Sequence, residues 1–560
     1  MGPRGRFGFV AELLVGPLLR YVGKTDATVW VETDEPCEVE VLGRTEPTFS
    51  VEGHHYAFVA IEDLEPGSSQ EYEVALDGER RWPPSDWDFP PSVLRTFRDQ
   101  EQIELVFGSC RVAAPHEPPY TLPKEADEEK ARGFDALHAL ALSILDANSP
   151  SYPDLLFLCG DQVYADEVSI DTQRFIDERD DRPPKAPPDQ VADFEEYTRL
   201  YRESWTDPVI RWLLSTVSTA MVIDDHDMHD DWNISESWCD DMAREPWWRE
   251  RVVSGMMAYW VYQFAGNLSP SELRERPLWN RLREADDAGP VLREFMERDD
   301  HERDGKRWSF LRDLGTTRLI VIDARTGRCL EPGDRKILDD DESEWVAERA
   351  TEKEVDHLVL GTSDPYLLAL TFHNLEAWNE KVVDGAWGGA AAALGERMRR
   401  SVDFDHWAAF EQSFLWLTRL IERVGAGEHG RPPATIGVLS GDVHHAYLAD
   451  VAFRKDVGVR SAVYQAVCSP YRNALDTRER RAIQLARTRP VAELTKRLAT
   501  AVGVRDPGIR WRFREGPYFD NQVATLELDG SSATMKLEKV PRDPEGRDER
   551  LEQVFRTRLS

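Results

Sequence analysis

Gly160-Asp161-Gln162-Val163-Tyr164-Ala165-Asp166, directly after the apolar run Leu155–Cys159, is the stretch on which the reading of the fold turns. A short buried strand that ends in glycine and then presents Asp, Tyr and Asp is how an open α/β sheet builds a site at its carboxyl edge. An aspartate there can cap the next segment, accept a structural hydrogen bond or ligate a metal. Three other strand-end clusters weigh toward the ligand: Gly108-Ser109-Cys110-Arg111 after 103–107, Asp224-Asp225-His226-Asp227 after 219–223, and Gly441-Asp442-Val443-His444-His445 after 435–439. If these strands run parallel, their carboxyl ends share one crevice.

Carboxylates crowded at one point repel each other unless a cation neutralises them, so the convergence predicts bound metal. Cys thiolate, Tyr phenolate and imidazole suit a transition metal such as iron, whereas Asp oxygens suit calcium, magnesium or manganese. Two ions sharing a carboxylate would clamp an ester oxygen and acidify a water, which is phosphoryl-hydrolase chemistry. The imidazole of His226, flanked by acids, is the candidate proton donor to the leaving oxygen.

Around this centre, 560 residues imply two or more domains. With 69 Lys+Arg against 104 Asp+Glu, the formal charge of −35 opposes nucleic-acid polymers and anionic membranes. The six cysteines are scattered without CxxC spacing, which argues against a disulfide framework or zinc knot. No run is long and apolar enough to span a bilayer. The apolar piece 13–19 is interrupted by Gly16 and Pro17 with no small-residue cleavage site after it, and the expectation is a cytoplasmic protein.

Residues 1–98 alternate in short, turn-punctuated strands, read as a small immunoglobulin- or fibronectin-like β-sandwich, with Leu64-Glu65-Pro66-Gly67 leading to Tyr72 as a tyrosine corner. From 99 to 540 strands and helices alternate, the signature of a layered α/β domain, with a helical insertion at 237–307. Its Trp247, Trp248, Trp260 and Trp279 read as core anchors. Residues 405–424 read as one amphipathic helix, 177–189 as a loop and candidate lid, and 541–560 as a charged tail.

The four ordered clusters resemble the motifs of PhoD-like (alkaline phosphatase D) metallophosphoesterases, over about residues 100–470, and the N-terminal β domain resembles that family's own. The resemblance implies a calcineurin-like four-layer α/β sandwich that hydrolyses small phosphate mono- or diesters with Fe3+ and Ca2+, the second ion alternatively Mg2+ or Mn2+. Carried over, Cys110, Asp161, Tyr164 and His444 hold the iron, and Asp161 bridges to an ion held also by Asp225 and Asp442. His226 is the acid and Arg111 the phosphate clamp. Asp230-Asp231 stands where related enzymes carry paired Asn, and Asp364 where many supply another His. His445 reads as support behind the ligands, His116 and His229 as candidate substrate contacts, and Arg325 as a structural ion-pair partner. Two other readings stay open: a catalytically weak, metal-containing binding or scaffold protein, and a polymer-directed nuclease with a basic groove near 478–489. Oligomeric state is not legible.

Overall fold

The computed structural model describes residues 11–98, 102–126, 128, 130–147, 151–298, 307–542 and 549–560. The N-terminal reading falls largely on 1–10, and the end of the helical insertion on 299–306, both outside the described residues. Contacts divide the chain into two units, one from 1–98, 205–220 and 256–305, the other from 99–204, 221–255 and 306–560.

The first unit is built on antiparallel strands. One four-stranded sheet runs in the order Leu13–Val22, Ala27–Thr33, His54–Ile61, Phe49–Val51, and another Arg44–Pro47, Glu38–Val41, Val74–Leu76, Glu79–Trp82. Alternation drives the folding: Val39 and Val41 are buried while Glu38 and Glu40 face solvent. Tyr72 does not close a corner within its own strands. Its buried hydroxyl donates to the Ser215 carbonyl at 2.5 Å, because a phenol removed from water takes whichever acceptor the packing offers.

The expected second domain also yields ground to this unit. Trp279 sets its ring edge-on to Phe49 and Phe58, at 5.6 and 5.5 Å between centroids. The Tyr262 hydroxyl donates to Glu32 at 2.9 Å. Helical periodicity reported that these residues are buried, but not against what. All four tryptophans are buried packing residues, as expected, with Trp247 and Trp248 in the second unit.

Two larger sheets are mixed. The six-stranded one runs Thr219–Val222, Leu155–Cys159, Ile103–Gly108, Gln522–Asp529, Ser532–Lys539, Glu552–Arg558. The seven-stranded one runs Phe310–Leu314, Thr317–Ile322, His357–Thr362, Thr435–Ser440, Ala462–Val467, Ala446–Phe453, Ile509–Tyr518. Leu155–Cys159 is parallel to Ile103–Gly108, and four strands of the larger sheet, from Thr317–Ile322 to Ala462–Val467, are mutually parallel. The residues 541–560 are therefore not a plain tail: Glu552–Arg558 is an edge strand on Ser532–Lys539, with Phe555 turned inward.

Period-2 alternation assigns the faces of the larger sheet. Ile320, Ile322, Leu358, Leu360, Ile436 and Val438 pack with Val346, Leu417 and Ile421 of the helices Asp340–Thr351 and Glu411–Ala426. On the other face Gly361 lies under the Phe157 ring of the smaller sheet, where a Cβ would sit 2.6 Å from the ring. The helix expected from residue 405 begins only at Glu411. Asp403 has φ +50° and Asp405 and His406 are drawn into ion pairs, so the chain turns before it coils. The 177–189 loop is tied down rather than free: Arg179 pairs with Asp193 at 2.7 Å and Arg182 with Glu196 at 2.5 Å.

Candidate metal centre

The four motif loops are stitched to each other. Asp227 Oδ1 accepts from the Gln162 and Val163 amides at 3.1 and 3.2 Å, and its Oδ2 from the Asp224 amide at 3.1 Å. Ser109 Oγ accepts from the Asp442 amide at 3.0 Å, and the Arg111 amide donates to the Asp161 carbonyl. Close approach requires the glycines. A Cβ on Gly160, whose φ is +136°, would stand 2.9 Å from Asp224 Oδ2, and one on Gly441 would run into Ser109 Oγ. Three of the expected ligands take left-handed backbone, Cys110 at φ +54°, Asp442 at +65° and His444 at +51°. Each such residue costs about 1–2 kcal/mol and persists where its surroundings demand it.

The loops bring carboxylates together. Asp161, Asp224 and Asp225 offer oxygens all within 4.8 Å of one another, as do Asp224, Asp364 and Asp442, so the two sets share Asp224. Asp161 Oδ1 and Asp224 Oδ2 are buried with no hydrogen-bond partner among the described residues. An unpartnered buried acceptor costs about 1–3 kcal/mol, more when charged, so these oxygens fit a cation ligand set. Burial, with Asp225 and Asp442 nearby, pushes the Asp161 carboxyl well above its ordinary range despite the opposing His226 charge. A bound cation would reverse that.

Softer donors border this set. The Tyr164 hydroxyl donates to Asp161 Oδ2 at 3.1 Å, and Tyr164 packs against Cys110. Cys110 Sγ accepts from Ser469 at 3.0 Å, and burial with Asp161 and Asp442 raises its pKa strongly, so without a cation it is a thiol. Burial and the His226 charge bring His444 down to about 4, leaving the neutral imidazole a metal needs, although His444 is not in the 4.8 Å sets.

His226 donates through Nδ1 to Asp166, 2.9 and 3.1 Å from its two oxygens, and stacks on Tyr164 at 4.4 Å. Burial alone would lower its pKa, but Asp166 and Asp225 hold it well above the ordinary value. These charges favour the ring protonated on both nitrogens, with Nε2 3.7 Å from Asp230.

Arg111 departs from its expected part. Its guanidinium is committed to buried Asp135, Nε to Oδ2 at 2.6 Å, and to Ser204, so it braces the Cys110 loop instead of facing the cluster. Arg325 is the cation at the heart of the acids. It pairs with Asp224 at 2.6 Å, Asp364 at 3.0 Å and Asp405, and lies 3.6 Å from both Asp225 and Asp442. Arg328 adds pairs to Asp364 and Asp405.

Asp364 thus answers to two arginines, and Asp231 donates its amide to Asp225 Oδ2 at 3.0 Å. His445 turns to the Val443 carbonyl and Tyr447. His116 stacks on His138 at 3.9 Å and His229 packs edge-on to Trp238 and Trp248. Sequence reasoning missed His406, whose Nε2 is 2.9 Å from Asp442 while Nδ1 holds buried Glu376 at 2.8 Å. It also passed over Asp166 as the orienter of His226, although that residue closes the opening stretch.

Buried, under-partnered carboxylates at the carboxyl ends of strands, with a histidine beside them whose neighbours favour its protonated form, are a donor set that fits a metal-dependent hydrolytic site. The model of the PhoD-like phosphatase family matches residues 137–501, well over half of the chain, which therefore belongs to that family of metal-dependent phosphoesterases. A domain of unknown function, DUF7800, matches residues 10–94. The solved structure of PhoD aligns with a TM-score of 0.60 at 12% identity, over 99% of this chain and 94% of that one. The purple acid phosphatase PPD1 from yellow lupin (Lupinus luteus) seeds aligns at 0.46 and 10% identity, over 97% and 74%. No curated protein sequence matches. Among the described residues no helix is long and apolar enough to cross a membrane.

Proposed function

We propose that this phosphatase cleaves small phosphate monoesters, diesters or both at a dinuclear centre set in a calcineurin-like four-layer α/β sandwich. The observation that carries the reading is the pair of carboxylate sets sharing Asp224, with the orphaned oxygens of Asp161 and Asp224 in their midst. Cys110, Asp161, Tyr164 and His444 would hold Fe3+, and Asp161, Asp225 and Asp442 the harder ion, Ca2+ or alternatively Mg2+ or Mn2+. When bound, the two ions supply Lewis acidity toward the phosphoryl oxygen and a water of lowered pKa.

The chain's own part is orientation and proton supply. Asp166 fixes the His226 ring and keeps it charged, Tyr164 supports its face, and Nε2–H is the proton offered to the departing oxygen. Arg325 and Arg328 hold the acids in place. The test is hydrolysis of p-nitrophenyl phosphate beside bis-p-nitrophenyl phosphate by metal-replete enzyme, with Asp161→Ala as blank. Turnover of either ester, lost in the variant together with bound metal, supports the reading. A protein purified from metal-replete growth that binds no divalent or trivalent ion ends it.

A further inference from the structure

His406 stands among three carboxylates. Its Nε2 lies 2.9 Å from Asp442 Oδ2, and its Nδ1 lies 2.8 Å from Glu376 Oε1 and 3.8 Å from Asp405 Oδ1. Asp405 is already engaged by Arg325 and Arg328, which leaves Asp442 and Glu376 as the acids the imidazole bonds. The ring arrives on the turn that follows Asp403, immediately before the short helix Trp407–Ala409, and Glu376 meets it from the second turn of the helix Leu370–Val383. Glu376 is 1% exposed. Among the described residues His406 is the one hydrogen-bond partner of its carboxylate, and Oε2 has none. An apolar side chain at that depth would avoid the desolvation cost of a carboxylate with one oxygen unmet, so the effect of Glu376 lies in what it does to His406.

A carboxylate on one imidazole nitrogen fixes the plane of the ring and aims the other nitrogen, and such outer partners set the orientation of the groups that ligate a metal. Here the aimed nitrogen meets Asp442. With Oδ2 held by His406, Oδ1 is the oxygen on the Arg325 side, 3.6 Å from Nη2, and Asp442 joins Asp224 and Asp364 in one carboxylate set. The Asp442 backbone is held as well, at φ +65° with its amide on Ser109 Oγ, so rotation of the carboxylate is the freedom left for His406 to remove.

From this geometry we infer that Glu376 and His406 are positioning residues for the harder ion of the centre: acting through Asp442, they orient its ligand, and their loss releases that ion while sparing the iron. That role rests on the dinuclear phosphohydrolase reading. The donors assigned to iron, Cys110, Asp161, Tyr164 and His444, do not include the Asp442 side chain, which is why the two ions part company.

The test reads ion binding rather than turnover. In calorimetric titration of the iron-loaded protein with Ca2+, and in parallel with Mn2+, His406→Leu should bind the second ion about ten- to a hundredfold more weakly than wild type, with iron by elemental analysis unchanged. His406→Gln, whose amide still donates to Asp442, should recover most of that loss. Glu376→Gln keeps an acceptor for Nδ1 without the charge and should weaken the second ion by about threefold or more; if His406→Leu does not fold, this variant decides. His373→Phe is the packing control: His373 lies one turn before Glu376, edge-on to Phe414 and Trp511 at 4.8 and 4.6 Å, with no ion pair among the described residues, and the second-ion affinity should not change. Unchanged or tighter binding in both His406→Leu and Glu376→Gln, iron lost together with the second ion, or an equal loss in His373→Phe overturns the positioning role. Wild type that takes up iron alone overturns the dinuclear reading and this role with it, whereas two ions in wild type and two undiminished in the variants overturn the role alone.

Discussion

Asp166→Asn isolates the part played by the His226 proton. Asp166 sits 2.9 and 3.1 Å from His226 Nδ1 and also accepts from the Asp230 amide at 2.6 Å, so asparagine keeps the shape and removes the charge. A hydrogen bond between charged partners contributes about 1.5–3 kcal/mol, which in a barrier is roughly ten- to a hundredfold in rate. That loss falls where the leaving oxygen needs a proton. On glycerol 2-phosphate, whose alkoxide is a poor leaving group, kcat should drop by that factor. On p-nitrophenyl phosphate, whose phenolate departs unprotonated, the drop should stay under about threefold. The sign with pH follows from the raised His226 pKa: the acid form survives above the ordinary histidine range, and the rate on the alkyl ester falls as pH rises through that pKa. Without the Asp166 charge the falling limb moves to lower pH. Metal content measured on both proteins guards against a trivial loss of ions. Equal losses on the two esters, or an alkaline limb that does not move, would refute the assignment of His226 as acid.

Arg325→Met should destabilise the metal-stripped protein by about 3–5 kcal/mol in urea unfolding, because it strands Asp224, Asp364 and Asp405; a cost below about 1 kcal/mol would deny it that place. Gly160→Ala should abolish metal binding measured by elemental analysis, since its methyl group meets Asp224 Oδ2 in a backbone conformation that alanine resists. Tyr72→Phe should cost about 1–2 kcal/mol of stability through the Ser215 carbonyl left unpaired, with kcat/KM unaltered; a change in kcat/KM would contradict that separation.

The strand-end motifs were legible because their signal is local. A buried run, then glycine, then acids within four residues is enough to announce Asp161, Asp225 and Asp442, and the structure draws all three into one crevice. Arg111 was misjudged because its partners, Asp135 and Ser204, lie 24 and 93 residues along the chain, where adjacency to Cys110 says nothing. The periodicity of Phe410, Phe414, Leu417 and Ile421 is real, but extending it back to residue 405 absorbed Asp405 and His406 into a helix when they belong to the acid cluster. The strand Glu552–Arg558 escaped notice because an edge strand buries so little: one phenylalanine among charges reads as a tail.

The charge balance of the crevice explains why the arginines do not make metal superfluous. Asp161, Asp224, Asp225, Asp364, Asp405 and Asp442 are all largely buried, and the guanidinium of Arg325 reaches Asp224, Asp364 and Asp405 while that of Arg328 reaches Asp364 and Asp405. His406 balances Asp442 but is shared with Glu376, and His226 is spent mainly on Asp166. What remains uncompensated is concentrated at Asp161 Oδ1 and the far oxygen of Asp224, which find no hydrogen bond among the described residues, whereas Asp364 Oδ1 faces the Arg325 guanidinium at 3.0 Å. An arginine there would have satisfied the charge and closed the site, since a guanidinium brings donors and no open position. The fold instead leaves the deficit where Tyr164, Cys110 and His226 converge, and that is the place where added cations would stabilise the protein and act on a substrate at once. Chelation should therefore lower the melting temperature of the wild type, and the shift should shrink in Asp161→Asn. A shift of the same size in that variant would mean that the ions bind elsewhere.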